Sequence, residues 1–332
     1  TNLTPEHIEA HQGFENYKKE KGKLFAATVS APKKYSVTEG SREVVYIKDD
    51  YESRKPSERI AKTIIVNRDD PHSEYFASFP AQEIYCYGVA GKEAENHTQC
   101  AHRKIIATDP ELTENGSTFC VGGSTFTLHI PGLYNVYNAL AAITVGLSRG
   151  MGFRTIADVL SAVRGVAGRF EVIDEGQPFK VIVDYAPEPA SMTQLYTVID
   201  TMKRNKVIHV LGSCGGGRDE ARRPVLGALA AEHSDIVVVT NEDPYDDSPM
   251  QIINDVADGA QSKGKKDNET LFLIEDRKKA ITKAFELAGE GDIVVITGKG
   301  AEQAMCVAGG KKIPWDDRIV ARKALRALHK QI

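Results

Sequence analysis

The chain has 332 residues, of which 41% are hydrophobic and 27% are charged, and its formal net charge is −4. This length suits two domains, since one domain typically takes roughly 100–200 residues. A net negative charge gives no general attraction to nucleic acid or to an anionic membrane, so neither is expected as a partner.

The five cysteines are widely spaced and form no CxxC pair, which favours neither a disulfide framework nor a structural zinc site. A reducing, cytoplasmic location is therefore predicted. The longest uncharged run, Asn115–Ser148, is smoothly apolar only over Ala139–Leu147, about half of what a membrane-spanning helix needs. The sequence contains no visible signal peptide.

The chain begins with the pattern of two short helices that are separated at Gly13. Thr4 is placed as the N-cap of the first helix, and Phe14–Phe25 carries apolar residues at helical spacing. Lys21 lies on the apolar face of the second helix. Spacing alone favours an ammonium that reaches out to water, with a partly buried functional charge as the alternative. Spacing alone also favours a surface or capping role for His7 over metal ligation.

Further along the first half, apolar runs predict several strands. They are Glu43–Ile47, Thr63–Asn67, Glu83–Tyr87, Arg103–Thr108 and Thr125–Ile130. The last three of these, together with Thr118–Val121, predict an antiparallel meander because Gly, Asn and Pro occupy the gaps.

Two asparagine-containing segments of this half are compatible with nucleotide binding. Asn67 directly follows a buried-type strand, where both a turn and a nucleotide contact remain open. Asn135 and Asn138 open an apolar helix over Tyr134–Arg149. They share one face of it and can present amide groups to a base.

From Arg169 onward strands and helices alternate regularly, which predicts a separate doubly wound α/β domain. The predicted strands are Glu171–Asp174, Lys180–Asp184, Val207–Leu211, Ile236–Thr240, Leu271–Ile274 and Ile293–Thr297. The predicted helices are Pro189–Lys203, Arg222–His233, Met250–Gly259, Arg277–Ala288 and Asp317–Lys330.

Polar residues follow four of these strands, at Asp184-Tyr185, Cys214–Asp219, Asn241–Tyr245 and Gly298–Glu302. Because ligands of doubly wound sheets bind outside the carboxyl ends of the strands, the four loops are expected to converge on one crevice. The chain contains neither GxGxxG nor GxxxxGK[ST]. A Rossmann oxidoreductase is therefore disfavoured, and these residues do not hold a triphosphate in the P-loop manner.

Seven motifs, in the correct order, resemble the Mur ligases of peptidoglycan precursor synthesis. They are most similar to the MurE class, which adds the third amino acid to UDP-N-acetylmuramoyl-L-alanyl-D-glutamate. The motifs are Thr1–Gly13, Phe14–Lys21, Gly132–Ala141, Gly168–Glu171, Val183–Ala186, Cys214–Pro224 and Gly298–Glu302.

The resemblance covers essentially the whole chain and begins partway through the family's central domain. It implies an α/β fold in which residues 1–167 form part of a Mur-type central ATP-binding domain, ATPase-like with a small antiparallel sheet. Residues 168–332 would form a Rossmann-like C-terminal domain that binds the amino acid. The N-terminal UDP-binding domain and the P-loop part of the central domain would lie outside this sequence. We therefore expect a fragment that is inactive by itself.

The resemblance also implies the chemistry. ATP phosphorylates a substrate carboxylate, and the incoming amine attacks the acyl phosphate, so ATP and Mg²⁺ are the expected cofactors. The expected partners are the UDP-MurNAc-dipeptide and a free amino acid. His7 and Lys21 would be catalytic, with His7 a Mg²⁺ ligand and Lys21, as a carbamate, an anion that positions a second Mg²⁺.

The remaining site residues follow from the same resemblance. Asn138 would contact adenine, Arg169 the nucleotide across the domain interface, and Asp184 the ribose; Asn67 stays a candidate nucleotide contact. Arg218 would pair with a carboxylate of the amino acid. The other amino-acid contacts would come from Asp243, Tyr245, Gly298 and Glu302.

Two departures from the family pattern bear on the site. Pro187-Glu188 stands where the family has His-Thr, and Glu242–Tyr245 stands where diaminopimelate-adding members carry D-N-P-R. Tyr245 removes the arginine that grips the distal carboxylate, and Asp243 adds a negative charge in place of asparagine. These changes favour L-lysine, or a small neutral amino acid, over meso-diaminopimelate. Arg218 and Glu302 would suit any amino acid.

Two alternatives remain open at the level of the sequence. One is a folate polyglutamate-type ligase of the same superfamily. The other is a non-catalytic nucleotide- or ligand-binding module, because these residues contain no P-loop and Pro187 departs from the motif. A P-loop upstream of Thr1 would support the enzyme.

Overall fold

The computed structural model describes residues 1–6, 8–39, 42–47, 58–92 and 103–329. We refer to residues 1–167 as the N-terminal half and to residues 168–332 as the C-terminal half. Each half is built around its own β-sheet with helices on both faces, so the α/β fold class is confirmed. Within the described residues, no helix combines the length and the apolar composition needed to cross a bilayer.

The N-terminal half contains, in chain order, α1 (Ile8–His11), α2 (Phe14–Ser30), β1 (Lys34–Glu39), β2 (Arg42–Ile47), β3 (Glu58–Ile60), β4 (Thr63–Asn67), α3 (Ser73–Ala77), β5 (Glu83–Val89), β6 (Arg103–Thr113), β7 (Gly116–Val121), β8 (Ser124–Leu128), α4 (Leu133–Ser148) and α5 (Phe153–Ala162). The first helix described begins at Ile8. The predicted N-cap Thr4 lies four positions before this helix, and its hydroxyl donates to the Glu6 carboxylate at 2.7 Å.

The five-stranded sheet of this half has the order β4-β5-β6-β7-β8 and is mixed. The pairs β6–β7 and β7–β8 are antiparallel, as predicted, but β5 pairs with β6 in parallel. The prediction of one antiparallel meander was therefore wrong for β5. The connection from β5 to β6 is long enough for a crossover, whereas β7 and β8 are joined by a two-residue turn.

Helices cover both faces of this sheet. On one face, Leu140 and Ile143 of α4 pack against Phe119 and Phe126. On the other face, Phe25 of α2 packs with the residues of β4 and β5. A separate small antiparallel sheet has the order β2-β1-β3. The strands β1 and β3 and the helices α3 and α5 were not predicted from the sequence.

The C-terminal half contains β9 (Glu171–Ile173), β10 (Lys180–Val183), α6 (Pro189–Ile199), β11 (Val207–Leu211), α7 (Arg222–His233), β12 (Ile236–Thr240), α8 (Pro249–Ser262), β13 (Leu271–Ile274), α9 (Arg277–Leu287), β14 (Ile293–Ile296), β15 (Ala304–Val307), β16 (Lys311–Pro314) and α10 (Asp317–His329). All six predicted strands form, each within one residue of its predicted ends. The α6 helix ends at Ile199, before the predicted Lys203, and the hairpin β15–β16 was not predicted.

The sheet of this half has the order β13-β12-β11-β14-β10-β9. Its strands are parallel except for β9, which runs antiparallel to β10. The helices α6, α7 and α8 pack on one face, and α9 and α10 pack on the other. The neighbouring strands β11 and β14 therefore lead into helices on opposite faces, which opens a crevice at their carboxyl ends.

A buried ion pair ties this carboxyl edge together. The guanidinium of Arg277, at the start of α9, donates to the Asp317 carboxylate from Nε at 2.9 Å and from Nη2 at 2.7 Å. It also donates to the carbonyl oxygens of Thr297 at 2.6 Å and Asn241 at 3.3 Å. These carbonyls directly follow β14 and β12, so one side chain links both strand ends to α10.

Cys86 of β5 is disulfide-bonded, a bond that the cysteine spacing did not predict. Cys120, Cys214 and Cys306 are free thiols.

His209 of β11 is fully buried and hydrogen-bonded through both ring nitrogens. Its Nδ1 lies 2.5 Å from the Tyr196 hydroxyl, and its Nε2 lies 2.9 Å from the Thr297 hydroxyl. Burial, together with the positive charge of Arg277, lowers the pKa of His209 from 6.5 to about 3. The imidazole is therefore neutral in the folded protein at neutral pH.

This buried imidazole predicts an acid-sensitive fold. The unfolded chain takes up a proton on His209 below pH 6.5, whereas the folded chain does so only near pH 3, so stability is lost as the pH falls between these values. We expect a loss of about 1.4 kcal/mol per pH unit in this window. His209→Gln should lower the slope of stability against pH by about this amount, as measured by urea unfolding between about pH 4 and pH 7.5, which covers the upper part of the window. His129→Gln is the matched control and should keep the wild-type slope. A wild-type slope in His209→Gln would contradict the prediction.

Candidate active site

A cavity of about 710 Å³ lies between the two halves, and we call it the interdomain cleft. The N-terminal half contributes Asn67 and Asn138 to its walls, and the C-terminal half contributes Arg169 and Asp184. These are the four residues for which the sequence predicted a nucleotide contact. The fold thus brings them to one cavity from positions that are far apart along the chain.

Asp184 lies at the floor of the cleft, directly after β10. Its carboxylate accepts hydrogen bonds from the backbone N–H groups of Phe170 at 2.6 Å and Ala186 at 2.9 Å. Burial raises the pKa of Asp184, and these hydrogen bonds and the Arg169 charge oppose the rise. The bond to Phe170 fixes the segment that carries Arg169, so the two predicted nucleotide contacts are positioned together.

Gly168 allows this segment to approach the C-terminal sheet closely. Its φ is +63°, and a Cβ there would lie 2.2 Å from the backbone nitrogen of Ala301. A glycine is required on both counts. The neighbouring Arg169 side chain is exposed, and its guanidinium carbon lies 4.4 Å from the centre of the Tyr185 ring, within cation–π distance.

Asn135 and Asn138 lie one turn apart on α4, on the face predicted from their spacing. The Asn135 amide donates to the Pro131 carbonyl at 2.8 Å, and the Asn138 amide donates to the Asn135 side-chain oxygen at 3.2 Å. Asn138 is exposed where it lines the cleft. Asn135 therefore supports Asn138, and Asn138 presents its amide to the cavity.

Asn67 takes part in a turn and lines the cleft as well. Its side-chain oxygen accepts the N–H of Asp69 at 3.1 Å, an Asx turn. Asp69 belongs to the same segment after β4, for which the sequence left a turn and a nucleotide contact open; its side chain is 4% exposed, and sequence reasoning assigned it no individual role. Its carboxylate accepts from the Val89 N–H at 2.7 Å and from the Tyr137 hydroxyl at 2.9 Å. It fixes the turn after β4 to β5 and α4, which no short-range pattern in the sequence indicates.

A second cavity, of about 350 Å³, adjoins the cleft and contains Lys21. Glu6, Asn67 and Asp70 line both cavities. Lys21 is exposed, with its ammonium 5.1 Å from the centre of the Tyr17 ring. This placement agrees with an ammonium that reaches water.

The predicted metal ligand His7 lies outside the described residues. Within the part of the chain that the structure describes, no three His, Cys, Asp or Glu side chains are grouped to hold a metal ion. The metal site therefore stays a prediction.

The four polar loops of the C-terminal half lie against one another, and hydrogen bonds join them. The Gly298 N–H donates to the Tyr185 carbonyl at 2.9 Å, and the Gly215 N–H donates to the Asp243 carbonyl at 2.8 Å. These bonds join the loops after β14 and β10 and the loops after β11 and β12. We call this region the loop crevice.

Lys299 is a buried cation at the centre of the loop crevice, and sequence reasoning gave it no role. Its ammonium donates to both oxygens of Asp243, at 2.9 and 2.8 Å, and to Glu302 at 2.5 Å. Burial alone would lower the pKa of Lys299, but the hydrogen bonds and charges of these two carboxylates raise it. Asp243 also accepts the Cys306 N–H at 2.8 Å. The expectation that Asp243 adds a free negative charge is therefore corrected.

Tyr245 is held against two other loops by its backbone and its ring. Its φ is +53°, and its N–H donates to the Cys306 carbonyl at 3.2 Å. The ring lies on Gly216, where a Cβ would be 2.6 Å from a ring carbon. A packed aromatic ring thus fills the position where the resemblance leads us to expect an arginine in diaminopimelate-adding members.

Glu242 is a buried carboxyl group that the sequence did not single out. It accepts the Cys214 thiol at 2.8 Å, and burial raises the pKa of Glu242. Its other oxygen faces Gly298, where a Cβ would lie 2.2 Å away and φ is +107°. The φ of +107° requires a glycine at the predicted site residue Gly298, and the Glu242 carboxylate fills the space beside it.

The predicted amino-acid contact Arg218 lies at the surface of the C-terminal half. Arg218 is exposed and is not part of the cleft walls, so the structure does not bring it into the cleft with Asp184.

Glu188, one of the departures from the family pattern, forms an ion pair with Arg222 and a capping box with Ser191 at the start of α6. The substituted position has a structural role at a helix start.

Comparison with protein families gives two matches. A family described as the Mur ligase middle domain matches residues 52–146, and one described as Mur ligase, glutamate ligase domain, matches residues 168–300. Together they account for more than half of the chain.

Curated relatives match along nearly its full length. A UDP-N-acetylmuramoyl-L-alanyl-D-glutamate–2,6-diaminopimelate ligase of Geobacillus thermodenitrificans is 37% identical over 331 residues, 98% of this chain and 59% of that protein. A UDP-N-acetylmuramyl-tripeptide synthetase of Roseiflexus sp. is 36% identical over 334 residues, 99% of this chain and 59% of that protein. The chain thus spans about three fifths of the length of these relatives.

Solved structures give the same picture of the fold. A UDP-N-acetylmuramoyl-L-alanyl-D-glutamate–2,6-diaminopimelate ligase is similar with a TM-score of 0.51 and 25% identity, over 99% of this chain and 59% of that one. A pseudomurein peptide ligase type C from Methanothermus fervidus has a TM-score of 0.63 at 17% identity, over 98% and 62% of the two chains. The second likeness concerns the fold alone.

The buried position of Lys299 predicts a large loss of stability when its charge is removed. Lys299→Met leaves Asp243 and Glu302 without their cation, and breaking a buried pair in this way costs roughly 3 kcal/mol, a figure at the lower end because Glu302 is partly exposed. Urea unfolding at neutral pH measures the change. The exposed Lys278→Met is the control and should be near neutral. Adding Asp243→Asn to Lys299→Met should recover part of the loss; equal stability of Lys299→Met and wild type would contradict the prediction.

Proposed function

The chain belongs to the Mur ligase family, and from that premise we propose that the protein containing it is an ATP-dependent ligase of the MurE class. Its reaction is amide bond formation between UDP-MurNAc-L-Ala-D-Glu and a third amino acid, in peptidoglycan precursor synthesis in the cytoplasm. The observation that carries the proposal is the interdomain cleft, where Asn138 and Asn67 of one half meet Arg169 and Asp184 of the other. We place the division between the domains at residues 167 and 168.

The polar groups of the cleft suit the parts of ATP. Asn138 presents an amide, which has both a donor and an acceptor for the edge of adenine. Asp184 is a buried acceptor that suits a ribose hydroxyl. Arg169 brings a guanidinium that favours phosphate oxygens. When bound, ATP supplies the phosphoryl group that activates the substrate carboxylate.

His7 and Lys21 remain our predicted Mg²⁺ ligands, with Lys21 as a carbamate. Lys21 is exposed, so carbon dioxide can reach its amine, and the modification would turn a cation into an anion. Glu6 and Asp70 line the same cavity with carboxylate oxygens, the ligand type that Mg²⁺ prefers. Since the described residues alone do not enclose a metal position, we derive no step through the ion.

The loop crevice is our proposed amino-acid site, with Arg218 at its exposed end. Relatives at 37% identity and below are named as 2,6-diaminopimelate ligases. Tyr245 argues for a different amino acid here, because a phenol at this position offers the distal carboxylate no charged partner. We propose L-lysine, or a small neutral amino acid, ahead of meso-diaminopimelate.

The nucleotide contacts are tested in the full-length protein by phosphate release at saturating UDP-MurNAc-L-Ala-D-Glu and amino acid. Arg169→Ala should raise the KM for ATP by roughly ten- to a hundredfold, the effect of losing a hydrogen bond to a charged group. Arg164→Ala removes a nearby arginine that bonds to His129 instead and should leave this KM unchanged. An unaltered KM in Arg169→Ala would remove it from the nucleotide site, and the absence of any amide product with wild-type protein would contradict the proposed function.

Amino-acid preference is tested by comparing kcat/KM for L-lysine and meso-diaminopimelate. We expect the wild type to prefer L-lysine, and Tyr245→Arg to improve use of meso-diaminopimelate by about tenfold through a charge-assisted contact. Tyr245→Phe keeps the ring on Gly216 and is the control; it should keep the wild-type order. A clear wild-type preference for meso-diaminopimelate would contradict the proposal.

A further inference from the structure

Two carboxylates form a crossed set of hydrogen bonds between the halves. Asp219 accepts the N–H groups of Ile8 at 2.8 Å and Glu9 at 3.1 Å, the first residues of α1. Glu9 in turn accepts the N–H groups of Glu220 and Ala221, both at 3.3 Å, directly before α7. We call these four hydrogen bonds the reciprocal cap.

The first N–H groups of a helix have no partner inside the helix and attract an anionic acceptor. At the start of α7, the N-cap residue Ala221 makes no side-chain cap hydrogen bond. The carboxylate of Glu9, from the other half, instead accepts the N–H groups of Ala221 and of the preceding Glu220. The carboxylate of Asp219 does the same for α1, across 211 residues of sequence. Each helix start is thus completed only when the two halves are together.

The reciprocal cap joins the two segments that carry the outlying predicted site residues. His7 immediately precedes α1 in the sequence, and Arg218 immediately precedes Asp219. We propose that Glu9 and Asp219 are positioning residues that register the segment following His7 against the loop of Arg218. This inference rests on the proposed function for the roles of His7 and Arg218, while the contact itself does not.

The reciprocal cap differs from an ordinary contact between the halves. Lys180 and Glu114 also bridge them, at 2.7 Å, through two partly exposed side chains. An exposed ion pair of this kind contributes little and orders no backbone. The cap instead binds backbone N–H groups on both sides, so separation of the halves leaves four of these groups without their carboxylate partner at once. A change in how the halves meet would therefore disturb the segment that follows His7 and the loop of Arg218 together.

Hydrogen–deuterium exchange of the full-length protein tests the contact without requiring turnover. Asp219→Ala should accelerate exchange at residues 8–9 in the opposite half by about tenfold, and Glu9→Ala should do the same at residues 220–221. Both side chains lie at the surface, so the fold is retained. Glu114→Ala is the control for docking in general, and Asp258→Ala is the control for loss of an exposed acid.

The proposal requires that each cap variant accelerates exchange in the half opposite to the substitution. Unchanged exchange in the opposite half of both cap variants overturns the proposal. Equal acceleration in Glu114→Ala also overturns it, because docking in general would then order the two helix starts.

Kinetics of the full-length protein test the positioning role. Asp219→Ala should lower kcat by about tenfold while the KM for ATP stays within about twofold. Asp219→Asn should give a kcat between those of Asp219→Ala and wild type, because its single carbonyl oxygen can keep one of the two N–H bonds. An unchanged kcat in Asp219→Ala, or a kcat of Asp219→Asn no higher than that of Asp219→Ala, overturns the positioning role. Absence of ligase turnover in the wild type contradicts the proposed function instead, and the exchange result then still decides whether the cap exists.

Discussion

The guanidinium of Arg277 constrains the edge of the sheet on which the C-terminal part of the site is built. A buried charge is tolerated only when it is paired and its hydrogen bonds are satisfied. Arg277 meets this condition with the Asp317 carboxylate and with the carbonyls of Asn241 and Thr297. The ends of β12 and β14 therefore cannot move apart without exposing a charge in the core. The loops that follow β12 and β14 therefore begin at fixed positions relative to each other.

The two parts of the site differ in how they are held. The loop crevice is fixed within one half by Lys299, whose two carboxylate partners lie on different loops. The interdomain cleft is assembled from both halves, and its shape depends on how they meet. The loops after β12 and β14 start from the strand ends that Arg277 holds together, whereas Asp184 and Asn138 line the cleft from different halves.

Sequence reasoning succeeded where short-range physics decides the structure. Continuous β-branched runs such as Val207–Leu211 predicted buried parallel strands, and the polar residues after them predicted the converging loops. Sequence reasoning failed where a side chain pairs with a residue that is distant along the chain. Lys299 and Asp243 are 56 residues apart, and nothing in either segment indicates that they pair. The parallel pairing of β5 was missed for a related reason, since strand direction depends on the path of a long connection.

The ion pair between Asp243 and Lys299 changes the physical basis of the expected amino-acid preference. Both of its oxygens are engaged by Lys299, so an incoming ammonium gains no free carboxylate there. A preference for L-lysine must then come from weaker binding of meso-diaminopimelate. The distal carboxylate of meso-diaminopimelate would meet the ring of Tyr245, and neutral donors bind carboxylates less strongly than a guanidinium does. Discrimination of this kind excludes a second carboxylate without demanding a terminal amine, so small neutral amino acids remain compatible with the same site.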